Sequence, residues 1–370
     1  MVSVVLPAMN EEQTIGRCIQ AIQRAFQAHG MKGEIIVADS STDRTPEIAR
    51  SMGAIVVHPE ERGYGNAYLT GFRYARGAYI VIGDADDTYD FSELPALVDP
   101  LRKNADLVIG SRFSGEIQPG AMTWLHQYLG NPILTWLLNR IFHTNFTDTH
   151  SGFRAIRREA LEQLNLCSPG MEFASEMLVA ATRAHLRIEE VPIHYSPRQT
   201  PSKLHSFADG WRHVRFIMLL EPIQFFVVPG LIFAVIGIVL IGLLAMGTVE
   251  AHTHSIILGG FLLVGGTQAL LSGALVNVYS VIHGYGVRGR FTDTILKYHN
   301  LERLLLLGGV LIAVGIIIGF SIITEWIQSG YGSLSQIVNA IISLSSISIG
   351  IQIIFFAIFV SMMRMNLAES

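Results

Sequence analysis

Residues 81–90, VIGDADDTYD, place four carboxylates, Asp84, Asp86, Asp87 and Asp90, within seven positions at the end of an apolar run. Like charges this close repel unless something positive lies between them. Asp84 and Asp86 stand two apart where the chain must turn. Hard carboxylate oxygens in that arrangement suit Mg²⁺ or Mn²⁺. Mg²⁺ takes one or two protein carboxylates and completes its shell with phosphate oxygens and water, so a cation here would bridge a nucleotide diphosphate. For DAD by itself, an acidic turn capping the next helix is the plainer alternative.

Strands alternating with helices position this cluster. Residues 2–6 read as a short buried strand, and Ile15, Ile19, Ile22 and Phe26 fall on one helical face. EIIVADSS, AIVVH, AYIVIGDADD and ADLVIGSRF read as four more strands. TPEIARSMG, GNAYLTGFRYARG and FSELPALVDPLRKN read as the helices between them. That alternation predicts a Rossmann-like, doubly wound α/β sheet, which binds ligands at the carboxyl ends of its strands. PAMNEE, ADSSTD, GDADD and GSRF each follow an apolar strand, so their polar groups share that edge. Neither GxGxxG nor GxxxxGK[ST] occurs, which leaves the dinucleotide fold and the P-loop unsupported.

The chain has 370 residues, of which 15% are charged. A soluble protein carries about 25%. The deficit lies beyond residue 220, where stretches at about 225–247, 256–282, 304–324 and 337–362 are each long enough to span a bilayer. Arg288, Arg290, Lys297 and Arg303 follow the second stretch, whereas the loops after the first and third carry no Lys or Arg. Positive-inside reasoning therefore expects both termini and the second loop in the cytosol of a multi-pass plasma-membrane protein. MVSVVLPAMNEE lacks a basic segment ahead of its short apolar run, which agrees with a first domain retained in the cytosol. Net charge is -4, so no nucleic-acid partner is expected. Two cysteines, Cys18 and Cys167, suit a reducing compartment. No ionisable side chain sits mid-span, which argues against a transporter.

Between these halves lies a third kind of segment. Residues 121–143 carry Trp124, Leu125, Tyr128, Leu129, Ile133, Trp136 and Leu137 without the length of a span. They suit an amphipathic helix or helix pair at a membrane interface, with packing inside the first domain as the alternative. The expected division is 1–205 for the catalytic domain, 206–224 for a juxtamembrane segment and 225–370 for four membrane helices.

VVLPAMNEEQTI, VADSSTDRT, RGYGNA, GDADDTYDF, GSRF, THSGFRAIRR and EVPIHYSPRQTPSKL occur in that order. Over residues 1–215 the chain resembles the family 2 glycosyltransferases of GT-A fold, and within them the dolichol-phosphate mannose or glucose synthase type. The resemblance implies that Pro7, Ala8, Asn10, Glu11 and Asp39 line the base and ribose of a nucleotide sugar. It also implies that Asp84 and Asp86 hold the metal and diphosphate. Glu11 equally suits stabilisation of a first helical turn, and Asp39 an Asx turn. RGYGNA fits a phosphate-approach loop or a tight turn. Many relatives carry a Gln as a further metal ligand where this chain has Thr88; Asp87, beside Asp86, is the remaining candidate.

The acceptor is read from basic residues around the interface segment. Arg112 and Arg198, with Lys203 and Arg140, suit the phosphate of a polyprenyl lipid, since guanidinium groups bind phosphate bidentately. Such a phosphate is already a nucleophile. Asp86, Arg112 and Arg198 are therefore the expected catalytic residues. The resemblance implies inversion, with UDP-glucose favoured as donor over GDP-mannose. No QxxRW motif follows the core, which argues against a polymer-extruding synthase. A catalytically silent membrane scaffold and a transferase for another membrane acceptor are the alternative functions. Arg154, Asp148 and Glu176 fit either substrate contact or internal pairing. A homo-oligomer is compatible with the sequence.

Overall fold

The structure, a computed structural model, describes residues 1–199, 206–246, 253–331 and 336–365. Its chain forms two compact units that divide between Phe216 and Ile217.

The first unit is built on seven strands: β1 Val2–Ala8, β2 Gly33–Asp39, β3 Ile55–Val57, β4 Tyr79–Ile82, β5 Leu107–Ile117, β6 Arg154–Arg157 and β7 Ile188–Tyr195. They lie in the order β3-β2-β1-β4-β6-β5-β7. All neighbours run parallel except β6, which is antiparallel to both β4 and β5. This mixed sheet with its inserted reversed strand is a GT-A sheet. Helices α1 Ile15–Ala28, α2 Thr45–Ser51, α3 Tyr64–Tyr74 and α4 Leu94–Lys103 connect the first five strands. Then follow α5 Asn131–Phe142, the single turn α6 Arg158–Leu161, α7 Phe173–Arg183 and α8 Ser206–Leu220.

Val2, Val4, Val5 and Leu6 are all buried, as expected of a strand covered on both faces. Ile15, Cys18, Ile19, Ile22 and Ala25 form the buried stripe of α1. Cys18 packs there as a small apolar side chain. On the other face a Cβ at Gly71 would come within 2.3 Å of Val5, so only glycine lets α3 lie this close to β1. The chain runs outward from β1 through β2 to β3 and returns to β4 on the far side of β1. A crevice must therefore open between the loops that leave β1 and β4, which is where open parallel sheets take their ligands.

Residues 126–142 form a π-helical turn, His126–Gly130, that continues into α5. Leu134, Thr135, Leu138 and Ile141 are buried, whereas Trp124 and Trp136 are 66% and 64% exposed. Tyr128 and Ile133 are exposed with them. The segment is thus core on one side and an aromatic surface on the other.

The second unit contains α9 Val228–Ala245, α10 Thr253–Ile282, α11 Arg290–Leu296, α12 Tyr298–Gln328 and α13 Ile337–Met365. Four helical stretches in it are long and apolar enough to cross a membrane: Ile223–Ala245, His254–Ile282, His299–Gln328 and Ile337–Arg364. Gly308 and Gly350 set the contact of α12 with α13. A Cβ on Gly350 would lie 2.6 Å from the Gly308 carbonyl oxygen, the small-residue contact by which helices pack in lipid.

Candidate active site

Parallel pairing of β1 and β2 puts Pro7 opposite Ala38 and Ala8 opposite Asp39 at the strand ends. Asn10 then bridges the two following loops. Its backbone N–H donates to Ser41 Oγ at 2.8 Å, and its Oδ1 accepts from Thr42 N at 2.8 Å. Asn10 adopts a left-handed φ of 56°, which asparagine tolerates better than most residues. Asp39 lies beneath this bridge, almost fully buried, and among the described residues nothing donates a hydrogen bond to its Oδ1. A buried carboxylate oxygen without a donor is costly, and this atom can accept one from a ligand.

Across the crevice stand Asp84 and Asp86. Tyr64, the first residue of α3, donates its hydroxyl to Asp84 Oδ1 at 2.9 Å. Thr88 donates to Asp86 Oδ1 from its hydroxyl at 2.6 Å and from its backbone N at 3.2 Å. Each carboxylate therefore has one oxygen fixed by the protein, and no described residue donates to Asp84 Oδ2. Burial first, and then the Asp86 charge, push the Asp84 carboxyl up to about 7, against the Tyr64 hydrogen bond and the Arg198 and Arg112 charges. Burial and the Asp84 charge raise the Tyr64 phenol well above its ordinary value, which keeps it a donor. Two hard oxygen ligands, repelling one another and each steadied on its outer atom, fit a divalent cation.

Glu11 ties the two sides together. Its backbone N–H donates to Thr45 Oγ1 at 2.9 Å, and its Oε2 accepts from Thr14 Oγ1 at 3.2 Å. Thr14 Oγ1 also reaches the Ala85 carbonyl at 2.8 Å. Arg198 closes the site from above: Nη2 donates to Glu11 Oε1 at 2.8 Å and Nε lies 3.3 Å from Asp86 Oδ2. Glu11, Asp84, Asp86 and Arg198 are thus brought into one place.

Other sequence candidates stand elsewhere. Asp87, with φ 63°, pairs with Arg17 at 3.0 Å, so its carboxylate is committed to a guanidinium. Arg112 is buried in a fork with Asp148, Nε to Oδ2 at 2.7 Å and Nη2 to Oδ1 at 2.9 Å, and lies over the Tyr195 ring. It reaches Asp84 through its charge but spends its bidentate face on Asp148. Arg140 is exposed on α5, on the face of Ile133 and Trp136. Lys203 lies outside the described residues.

Arg154 is fully buried and donates to the carbonyls of Thr149, Ser151 and Ala174, which settles it as internal support. Glu176 accepts from the backbone N–H groups of Cys167 and Ser168 and so shapes the loop beside α3. Pro169 O in that loop takes the N–H of Gly65, and a Cβ at Gly65 would lie 1.9 Å from Ser168 O. RGYGNA is therefore a close backbone approach at the head of α3 that delivers Tyr64 to Asp84. Tyr64, Thr14 and Arg17 are functional-site residues that composition and strand pattern do not mark. Only the RGYGNA spacing signalled one of them.

Residues 3–164 match the sequence signature of glycosyl transferase family 2, and residues 274–364 that of the glycosyltransferase family 2 C-terminal transmembrane region. The low-salt glycan biosynthesis hexosyltransferase Agl6 of Haloferax volcanii is 42% identical over 95% of this chain and 86% of its own. The dolichyl-phosphate hexose transferase of the same organism is 35% identical over 56% of this chain and 88% of its own. A crystal structure of glucosyl-3-phosphoglycerate synthase from Mycobacterium tuberculosis with Mn²⁺, UDP and phosphoglyceric acid is 26% identical. It covers 59% of this chain and 76% of that one at TM-score 0.48.

Proposed function

The chain belongs to glycosyl transferase family 2, and from that premise we propose that it transfers a hexose from a nucleotide sugar to a polyprenyl phosphate, with inversion, on the cytosolic membrane face. The observation that carries this reading is the convergence of Glu11, Asp84 and Asp86 on Arg198 at the β1–β4 crevice. The 35% identity to a dolichyl-phosphate hexose transferase supports the acceptor class.

Pro7, Ala8 and Asn10 line the base and ribose, and Asp39 Oδ1 accepts a hydrogen bond from the base. Asp84 and Asp86 hold Mg²⁺ or Mn²⁺, which neutralises the departing nucleotide diphosphate when bound. Tyr64 and Thr88 keep the two carboxylates turned toward it. Arg198 positions the acceptor phosphate, with Arg140 on the exposed aromatic face of α5 and Lys203 as further cations. Arg112 steadies the wall through Asp148 and Tyr195. A phosphate monoester has its second pKa near 6, so it is largely dianionic at neutral pH and needs no general base. One of its oxygens attacks the anomeric carbon while the bond from that carbon to the nucleotide diphosphate breaks. An α-linked donor, UDP-glucose before GDP-mannose, then gives a β-linked lipid-phosphate sugar. The exposed Trp124, Tyr128, Ile133 and Trp136 suit the membrane interface where that lipid resides.

The reading is tested by incubating the purified protein with a panel of labelled nucleotide sugars and polyprenyl phosphate, followed by lipid extraction. Label from one donor is expected in the organic phase. Label entering lipid only when another membrane acceptor replaces polyprenyl phosphate contradicts the acceptor assignment.

Two narrower outcomes follow from individual residues. Loss of a hydrogen bond to a charged group costs about 1.5–3 kcal/mol. Asp39→Ala is thus expected to weaken nucleotide binding by roughly 10- to 100-fold in a calorimetric titration, and an unchanged Kd removes Asp39 from the base site. For topology, a cysteine at Ser255, at the head of α10, is expected to react with an impermeant thiol reagent added outside cells. One at the exposed Thr294 of α11 is expected to stay unlabelled, and the reverse pattern overturns the orientation.

A further inference from the structure

The backbone of Gly152 is not left-handed, so its conformation does not call for glycine. What the position lacks is room. A Cβ there would stand 2.9 Å from the Tyr64 hydroxyl oxygen, 3.0 Å from Asp84 Oδ2 and 3.3 Å from the Tyr89 hydroxyl oxygen. The first two atoms belong to the site: Tyr64 donates to Asp84 Oδ1 at 2.9 Å, which leaves Oδ2 to a cation. The segment carrying Gly152 cannot retreat. Its N–H donates to the Tyr89 hydroxyl at 2.8 Å, and Arg154 holds the carbonyls of Thr149 and Ser151. Phe153 is fully buried, and its carbonyl takes the Gly110 N–H at 2.8 Å. The Tyr64 ring cannot retreat either. It stands edge-on to the buried Tyr68 with centroids 5.0 Å apart, and Tyr68 stacks on Phe173 at 5.3 Å.

We propose that Gly152 is a positioning residue for the cation: the side chain it lacks is the space in which Asp84 and the Tyr64 hydroxyl meet. This rests on the functional reading above. With both walls fixed, a methyl at 152 acts on the one member that can turn, the Asp84 carboxylate on its own side-chain torsions. It parts Asp84 from the Tyr64 hydroxyl and takes Oδ2 out of register with Asp86. Mg²⁺ demands near-ideal octahedral geometry, so a displaced carboxylate is a poor ligand even where it stays nearby. In THSGFRAIRR, then, Arg154 holds the turn from within, and Gly152 is the point at which that turn reaches the site. Asp84 is presented by three separate parts of the chain: the end of β4 that carries it, the head of α3 that steadies Oδ1, and a bare backbone that leaves Oδ2 uncrowded.

The test is a calorimetric titration of Mn²⁺, without nucleotide, into the full-length protein in detergent. Gly152→Ala is expected to bind Mn²⁺ about 10-fold more weakly than wild type, the scale of one hydrogen bond to a charged group. Binding of the donor's nucleoside monophosphate in excess chelator is expected to match wild type, which a general loosening of the domain would not allow. Tyr64→Phe removes the oxygen nearest the added methyl. Tyr64→Phe/Gly152→Ala is therefore expected to bind Mn²⁺ no more weakly than Tyr64→Phe alone, the coupling of two residues in contact. If Gly152→Ala does not fold, the double variant is expected to, and its failure to fold overturns the crowding. Wild-type affinity for Mn²⁺ in folded Gly152→Ala overturns the role of Gly152 and leaves sugar transfer to lipid untouched. A double variant that binds Mn²⁺ clearly more weakly than Tyr64→Phe does the same. Wild-type protein that takes up no Mn²⁺ overturns the metal site and this role with it, and failure of every donor to label lipid overturns the functional reading itself.

Discussion

Asp86→Ala is expected to cut transfer of labelled hexose into lipid by at least about 10³-fold while the protein still folds. A metal ion that stabilises a leaving group contributes several kcal/mol, and each 1.36 kcal/mol is a factor of ten in rate. In the proposed site Asp86 would offer Oδ2 to that ion, since its Oδ1 already accepts from the Thr88 hydroxyl and backbone N–H. Asp87 adjoins it in sequence but is held by Arg17. Chelation of divalent ions should reproduce the loss, and Mg²⁺ or Mn²⁺ should reverse it in wild type and not in Asp86→Ala. Full activity in excess chelator would remove the metal from the mechanism.

The second large effect concerns stability. Arg112 and Asp148 are both buried and joined by two side-chain hydrogen bonds, with a third from Arg112 N to Asp148 Oδ2 at 3.1 Å. Removing one member of a buried pair strands the other charge and costs about 3–5 kcal/mol. For a domain of this size that lowers the melting temperature by roughly 6–20 °C. Arg112→Ala is therefore expected to melt far earlier than wild type in a detergent-solubilised thermal scan. If it melts with wild type yet transfers sugar a hundredfold more slowly, Arg112 touches the acceptor directly and is not a buried strut.

Arg112 also shows where sequence reasoning stops. A guanidinium behind an apolar strand reads as a phosphate ligand because its partner, Asp148, is 36 residues away and enters through the fold alone. Asp87 is the same case: adjacency to Asp86 suggests a shared ligand, but a left-handed turn at Asp87 sends its carboxylate to Arg17. Asp84 and Asp86 were legible because two residues at a strand end keep their geometry whatever surrounds them. The α/β alternation was legible for the first five strands, whose apolar runs are unbroken. Strand β6 was not, since Arg154, Ala155, Ile156 and Arg157 do not look like a buried strand. Three backbone carbonyls make Arg154 acceptable there. The aromatic segment at 121–143 could be recognised as amphipathic. Which face the core covers became clear only from Leu134, Leu138 and Ile141 packing inward.

The most direct test of the account follows the phosphorus. Polyprenyl phosphate labelled with ³²P is incubated with wild-type protein and a ¹⁴C-labelled nucleotide sugar, and the extracted lipid is counted for both labels. Transfer of the sugar alone to the lipid phosphate predicts one phosphorus per hexose, carrying the ³²P that came in with the lipid, and release of the intact nucleotide diphosphate. A product with two phosphorus atoms per hexose, or a sugar-labelled lipid without ³²P, would contradict attack by the lipid phosphate oxygen on the anomeric carbon.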